Sequence, residues 1–291
     1  MKIFVSGASG FQGGNIAQQL IAKNHKISTL KRTIGEGVPV REGIDVIEGG
    51  LGDKEALNKA LQHTNVAVYT FPLLFDMKLA KEYTSNFIAA AKEQKVDLVI
   101  FNATFDLPKE ETELLALNLK VEMKRLFDAS GLNVITLVPD IYIDNLAAPW
   151  SIPVILNDNI LPYPVTSGTK VPWISHVDLA KYVVSAIDKP ELAGQTLPIG
   201  GNLFTGEEIA AAISDKIKKP VNFVGVLPDD FEKQLAPAFG ELAAREISNL
   251  YRYVEQNQTE FLKKDFKNTN KLLSVTPQTL DEWVDSVSWA N

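Results

Sequence analysis

The stretch Ile3-Phe4-Val5-Ser6-Gly7-Ala8-Ser9-Gly10-Phe11-Gln12-Gly13-Gly14 decides the fold. Ile3–Ser6 reads as a short buried strand, and Ile16, Leu20 and Ile21 place an apolar stripe at helical spacing just beyond it. Between them lies Gly-x-x-Gly-x-x-Gly rather than Gly-x-Gly-x-x-Gly. A helix starting there presents unpaired N–H groups and the positive end of its dipole, and glycines let a pyrophosphate approach the backbone with no Cβ in the way. Gly7, Gly10 and Gly13, with Ser9, Phe11 and Gln12 in the same turn, are therefore the expected dinucleotide-binding residues. The bland alternative is a tight turn that only packs helix against strand.

Beyond that stretch, His25–Leu30, Asp45–Glu48, Val66–Thr70, Leu98–Asn102 and Val134–Val138 are short runs rich in Val, Ile and Phe, the signature of strands buried on both faces. Between them Ala56, Leu57, Ala60 and Leu61, then Phe87, Ile88 and Ala91, then Leu119, Met123, Leu126 and Phe127 recur at three and four, giving each helix one apolar stripe. Strand alternating with helix predicts an α/β chain with a Rossmann-type, doubly wound parallel sheet. Asp53 is placed to cap one helix, Gly131 to stop another, and Thr205 with Glu208 has capping-box spacing. Past residue 145, Pro149, Pro153, Pro162, Pro164 and Pro172 predict irregular loop crossing a surface or lining a cleft. A helix from His176 to about Asp188 and a strand Thr196–Ile199 follow. The expected division is residues 1–150 plus about 165–190 as the dinucleotide-binding domain, and about 150–165 plus 190–291 as a smaller, mostly helical lobe for substrate or partner.

The 291 residues carry 29 Lys+Arg against 36 Asp+Glu, a net charge of −7, and no cysteine. That balance argues against non-specific nucleic-acid binding, and the missing cysteines remove disulfides, thiolate metal sites and a thiol nucleophile. With no leader pattern at Met1-Lys2-Ile3 and no long apolar run, a cytoplasmic protein without membrane contact is expected. His25, His63 and His176 are dispersed, so no metal site is expected. No Gly-x-Ser-x-Gly elbow of a serine hydrolase occurs. The run Lys263-Lys264-Asp265-Phe266-Lys267 with Lys271 reads as a solvated face.

The second strand ends Leu30-Lys31-Arg32-Thr33, where a fold selecting NAD would carry Asp or Glu for the ribose hydroxyls. Arg32, with Lys31 beside it, instead suits the 2′-phosphate of NADP, so NADP(H) is expected to bind in preference to NAD(H). A solvated basic strand end is the alternative.

At this point the chain resembles the NmrA-like family, an atypical branch of the short-chain dehydrogenase/reductases. The resemblance rests on Gly7–Gly14, Arg32, Leu119-Lys120-Val121-Glu122 with Ser130-Gly131-Leu132, and the segment Val138-Pro139-Asp140-Ile141-Tyr142-Ile143-Asp144-Asn145-Leu146. Later landmarks at Ile174–Ala180, Leu203–Ile209 and Pro277–Trp283 carry it across nearly the whole chain. Two departures stand out. Gly49-Gly50-Leu51 replaces a Gly-Asp pair whose carboxylate usually meets the adenine, and Val138 replaces an arginine.

Ordinary relatives use Tyr-x-x-x-Lys, in which lysine lowers the tyrosine pKa for proton donation. Ala116 stands four before Lys120, and none of the 7 tyrosines has lysine four residues later, so that dyad is excluded. The resemblance implies that Lys120 is catalytic and touches the cofactor, as in isoflavone-reductase-like relatives; a helix-surface lysine is the alternative. Thr70-Phe71-Pro72 and Asn102-Ala103-Thr104 are expected beside the nicotinamide from their place at strand ends, and Pro139 and Tyr142 on the family segment. Phe75, Phe105, Tyr142 and Asn145 are the expected substrate contacts; Phe71, Phe101 and Trp150 also fall near strand ends, as stacking faces or as core. Two functions of different class remain: an NADPH-dependent oxidoreductase acting on a quinone or similar small conjugated acceptor, and a non-catalytic redox sensor that binds NAD(P) and a regulatory protein partner. The oligomeric state is left open.

Overall fold

A computed structural model describes residues 1–34, 37, 39–257, 260, 264 and 266–289. The chain divides into two compact units, the first Met1–Pro139, His176–Ile199 and Lys267–Val275, the second Asp140–Ser175, Gly200–Phe266 and Thr276–Asn291. Relative to the division expected from sequence, residues 140–150 and 165–175 group with the second unit, and 190–199 and 267–275 with the first.

The first unit is built on a seven-stranded sheet: β1 (Lys2–Val5), β2 (Lys26–Lys31), β3 (Ile44–Glu48), β4 (Val66–Thr70), β5 (Leu98–Asn102), β6 (Val134–Pro139) and β10 (Thr196–Ile199), in the order β10-β6-β5-β4-β1-β2-β3. Every pairing is parallel. Helices α1 (Phe11–Ala22), α2 (Lys54–Leu61), α3 (Met77–Glu93), α4 (Leu115–Ala129), α6 (His176–Ile187) and α10 (Lys267–Leu273) belong to this unit. The doubly wound sheet expected from the strand–helix alternation is the one observed. Strand order reverses at β1, which lies between β2 and β4, so the crevice beyond the carboxyl ends of β1 and β4 is the topological switch point.

Sequence punctuation is realised locally. The Asp53 carboxylate accepts the Ala56 N–H at 3.0 Å, Gly131 takes φ +75° after α4, and Thr205 with Glu208 closes a capping box. One face of the sheet is sealed by Phe4, Tyr69, Phe87, Phe101 and Phe127, with ring centroids 4.7 Å apart for Tyr69–Phe87 and 4.9 Å for Phe101–Phe127. Phe101 is therefore core, not a cleft residue.

The second unit corrects the expectation of irregular loop after residue 145. It contains α5 (Ile152–Asp158), strands β7 (Ile141–Tyr142), β8 (Ile160–Tyr163), β9 (Val171–Ile174), β11 (Leu203–Phe204) and β12 (Asn222–Gly225), and helices α7 (Gly206–Ile217), α8 (Pro228–Phe239), α9 (Glu241–Gln256) and α11 (Leu280–Ser286). The strands form the small sheets β11-β9-β7 and β12-β8. The prolines misled because they occupy positions where a missing N–H is tolerated. Pro153 lies in the first turn of α5, and Pro162 sits in β8, which pairs with β12 alone. Among the described residues no helix is long and apolar enough to cross a membrane, and no cluster of three His, Asp or Glu could hold a metal ion.

Candidate functional site

The glycine loop joins β1 to α1 at the switch point. Gly7 has φ +65°, a left-handed conformation that suits glycine, and its carbonyl accepts the Gly10 N–H at 2.8 Å, closing the turn. No side chain caps α1 at Gly10. Gly13 lies so close to the loop that a Cβ there would sit 2.4 Å from the Gly7 carbonyl oxygen and 2.8 Å from that of Ser6. Ser6 Oγ accepts the Thr70 N–H at 2.8 Å, fastening the end of β1 to the end of β4. Thr70 Oγ1, just above, is buried with no hydrogen-bond partner.

The end of β5 adds a second cluster. Phe71 N–H donates to the Asn102 carbonyl at 3.1 Å, so the loops after β4 and β5 are tied together. The buried Asn102 side chain donates to Gln12 Oε1 at 2.8 Å and accepts the Thr104 N–H at 3.0 Å. Thr104 Oγ1 in turn accepts from Lys120 Nζ at 3.2 Å. Lys120 is 4% exposed, with its nitrogen 5.4 Å from the centre of the Phe105 ring. Burial pulls its ammonium down to about 7 from an ordinary 10.5, with the Asp106 carboxylate opposing part of that drop. A lysine poised near neutrality is able both to give and to take a proton. The helix-surface alternative for Lys120 is thus excluded: Glu122, on the same helix, pairs instead with Lys81 at 2.9 Å.

Sequence alone contained a signal for that burial. Ala116, Lys120, Met123 and Phe127 recur at helical spacing and are all buried, so the lysine lies on the apolar stripe of α4.

The structure brings together Gly7, Ser9, Gly10, Phe11, Gln12, Gly13, Thr70, Phe71, Asn102, Ala103, Phe105 and Lys120 in the first unit, with Pro72 and the half-buried Phe75 following Phe71. Phe11 is exposed and stacks on His176 at 6.2 Å. Lys31 closes β2, and Arg32 is exposed and forms no ion pair among the described residues. A Cβ on Gly50 would be 3.7 Å from Arg32 Cγ, which puts the two side by side. Pro139 ends β6, whereas Tyr142 and Asn145 belong to the second unit. There Asn145 Nδ2 donates to Tyr163 Oη at 3.1 Å, and that hydroxyl is hydrogen-bonded to Tyr251. Trp150 packs edge-on against Phe239. Of the basic run, Lys264 forms a 2.9 Å ion pair with the buried Asp140, not a solvated face; Lys263 and Asp265 lie outside the described residues.

A model described as the NmrA-like family matches residues 1–284. The chain belongs to the NmrA-like family. The resemblance drawn from Gly7–Gly14 and the later landmarks is thereby borne out. A phenylcoumaran benzylic ether reductase from Nicotiana tabacum is 22% identical over 285 residues, covering 89% of each chain. Among solved structures, the triphenylmethane reductase of Citrobacter sp. complexed with NADP(H) matches with a TM-score of 0.79 at 18% identity, covering 98% of this chain and 100% of that one. An NADPH-dependent quinone oxidoreductase from Escherichia coli, complexed with NADPH, matches with a TM-score of 0.77 at 21% identity, covering 98% and 99%. At those identities the solved structures establish a shared fold. Within this NmrA-like chain the feature that sequence reasoning missed is the hydrogen bond of Thr104 to Lys120, made with the Thr104 backbone at a φ of +65°.

Proposed function

We propose that this NmrA-like chain is an NADPH-dependent oxidoreductase that reduces a quinone or a similar small conjugated acceptor. The observation that carries the reading is Lys120, buried on α4 and held near neutral pKa within hydrogen-bonding distance of Thr104 on the loop after β5. A protein that only sensed the dinucleotide would have no need of a buried ammonium that must be desolvated at a cost.

The residues present fit a dinucleotide. Gly13 is pressed so close to the turn that a Cβ there would overlap the Gly7 carbonyl, α1 opens without a side-chain cap, and the Thr70 hydroxyl at the end of β4 is buried with no hydrogen-bond partner. Gly7, Gly10 and Gly13 would hold the pyrophosphate. Arg32 would meet the 2′-phosphate, its guanidinium otherwise without an ion pair among the described residues, and this supports NADP(H) over NAD(H). When bound, the reduced dinucleotide supplies a hydride to the acceptor. Lys120 then donates a proton to the oxygen that gains charge and regains it from solvent, so no tyrosine is required. Phe71, Phe75 and Phe105 would supply flat apolar surface for a conjugated ring.

The decisive experiment titrates NADPH and NADH by protein fluorescence and then follows NADPH absorbance with a panel of quinones. Turnover that falls about a hundredfold or more in Lys120→Ala, with NADPH still bound, supports the assignment. Tight binding without turnover on any acceptor rejects it in favour of the redox-sensing regulator.

A further inference from the structure

The buried lysine is anchored by a hydroxyl rather than by a carboxylate. Lys120 Nζ donates to Thr104 Oγ1 at 3.2 Å, while the Thr104 hydroxyl hydrogen goes to the Ala103 carbonyl at 2.6 Å. The hydroxyl proton is thus committed, and a lone pair faces the ammonium.

Thr104 sits where a β-branched residue is disfavoured. Its φ of +65° lies in the left-handed region, which a β-branched residue adopts only under strain. Asn102, buried at the end of β5, holds it there by accepting its N–H at 3.0 Å. The same amide is kept from rotating because its nitrogen donates to Gln12 at 2.8 Å in the first turn of α1. Strain of this kind persists only where the surroundings over-determine it, and it collects at working sites.

We propose that Asn102 and Thr104 are positioning residues for Lys120: Asn102 locks Thr104 into its left-handed backbone, and the Thr104 hydroxyl holds one N–H of the lysine so that the others point into the site. This deepens the reading of Lys120 as the proton donor and rests on it. The charged groups around the lysine leave the task to Thr104. Asp106 acts on Lys120 through its field. The other charges of α4 are engaged elsewhere, Glu122 with Lys81 and Arg125, Lys124 with Asp128, and Arg125 with Glu111.

The test follows the Lys120 side chain by NMR in the full chain without dinucleotide, its signal identified by loss in Lys120→Met. Thr104→Val keeps the shape and removes the acceptor, so the charged form is less favoured and the titration midpoint falls by about one pH unit or more. Thr104→Ser restores it to within a few tenths. In turnover assays the pH profile moves the same way, and kcat falls while KM for NADPH holds. Should the valine variant fail to fold, Thr104→Gly serves, because it deletes the hydroxyl and relieves the left-handed strain; its midpoint must also leave the wild-type value. An unchanged midpoint in a folded valine or glycine variant overturns the proposal, as does a serine variant that fails to restore it. A shifted midpoint in a protein that reduces no acceptor supports the positioning role and rejects the reductase reading.

Discussion

Gly13 and Gly7 touch across the loop that opens α1, so closely that a Cβ on Gly13 would lie 2.4 Å from the Gly7 carbonyl oxygen. Neither partner is able to yield, since both atoms belong to backbone fixed by the Gly10-to-Gly7 hydrogen bond and by the β1–β4 pairing. Gly13→Ala must therefore push α1 away from the loop. The expected result is loss of NADPH binding in a fluorescence titration and a lower Tm. Gly10→Ala, whose Cβ would meet the same oxygen at 3.3 Å, is milder in both measurements. Equal NADPH affinity in Gly13→Ala and wild type would show that the turn is structural and binds nothing.

Arg32 forms the second test. Among the described residues the Arg32 guanidinium forms no ion pair, and a side chain at 50 would start 3.7 Å from its Cγ. Arg32→Ala loses the charge altogether. It should weaken NADPH by about tenfold to a hundredfold and leave NADH within about twofold, as measured by isothermal titration. An unaltered ratio of the two affinities in Arg32→Ala would remove Arg32 from the cofactor site.

These two tests draw on features that sequence displays openly. Glycines at Gly7, Gly10 and Gly13 and the short Val- and Ile-rich runs carry their own physical meaning, because backbone approach and burial restrict residue type directly. Lys120 was visible as a residue, and its burial was available from the stripe of Ala116, Met123 and Phe127 on the same helix. What could not be read was the path from Gln12 through Asn102 to Thr104. Gln12 and Asn102 are 90 residues apart and meet only because β5 and α1 converge at the switch point. A threonine with φ +65° also gives no compositional signal, since it is the residue type least expected there. The second unit was obscured for the opposite reason, prolines that mark loops elsewhere being accommodated in strands, Pro162 at a sheet edge and Pro172 in the central β9, and at a helix start.

Tyr163 and Tyr251 make a buried hydroxyl pair in that unit, with Asn145 donating to Tyr163. Burial pushes the Tyr163 phenol up to about 12 and holds Tyr251 well above its ordinary 10. An absorbance titration should therefore show at least three phenols, the fully buried Tyr69 among them, that fail to ionise until the protein unfolds. Tyr251→Phe should cost about 1 kcal/mol in a urea melt, the worth of one hydrogen bond. Early ionisation of both groups in the folded protein would contradict the buried pair.

Lys120 should make stability depend on pH in a direction that can be worked out in advance. In the unfolded chain its amine titrates at the ordinary 10.5, in the folded one at about 7. Below about 7 both states are charged, and the folded state bears the full penalty of a desolvated ammonium. Between the two values the unfolded chain holds a proton that the folded chain has released, so stability rises with pH. Above 10.5 both are neutral and the penalty is gone. Lys120→Met, similar in shape and uncharged, is accordingly expected to be more stable than wild type by up to roughly 4 kcal/mol near neutral and acid pH. That advantage should shrink steadily as pH climbs toward the upper value. Denaturant melts of both proteins at about pH 6 and about pH 9 measure it. The same variant should lose reductase turnover, giving a protein that gains stability as it loses its proton donor, the trade expected of a group buried for chemistry rather than for folding. A stability difference that does not change between the two pH values would mean that Lys120 keeps its ordinary titration in the folded chain, and with it would go the case for a neutral-poised donor.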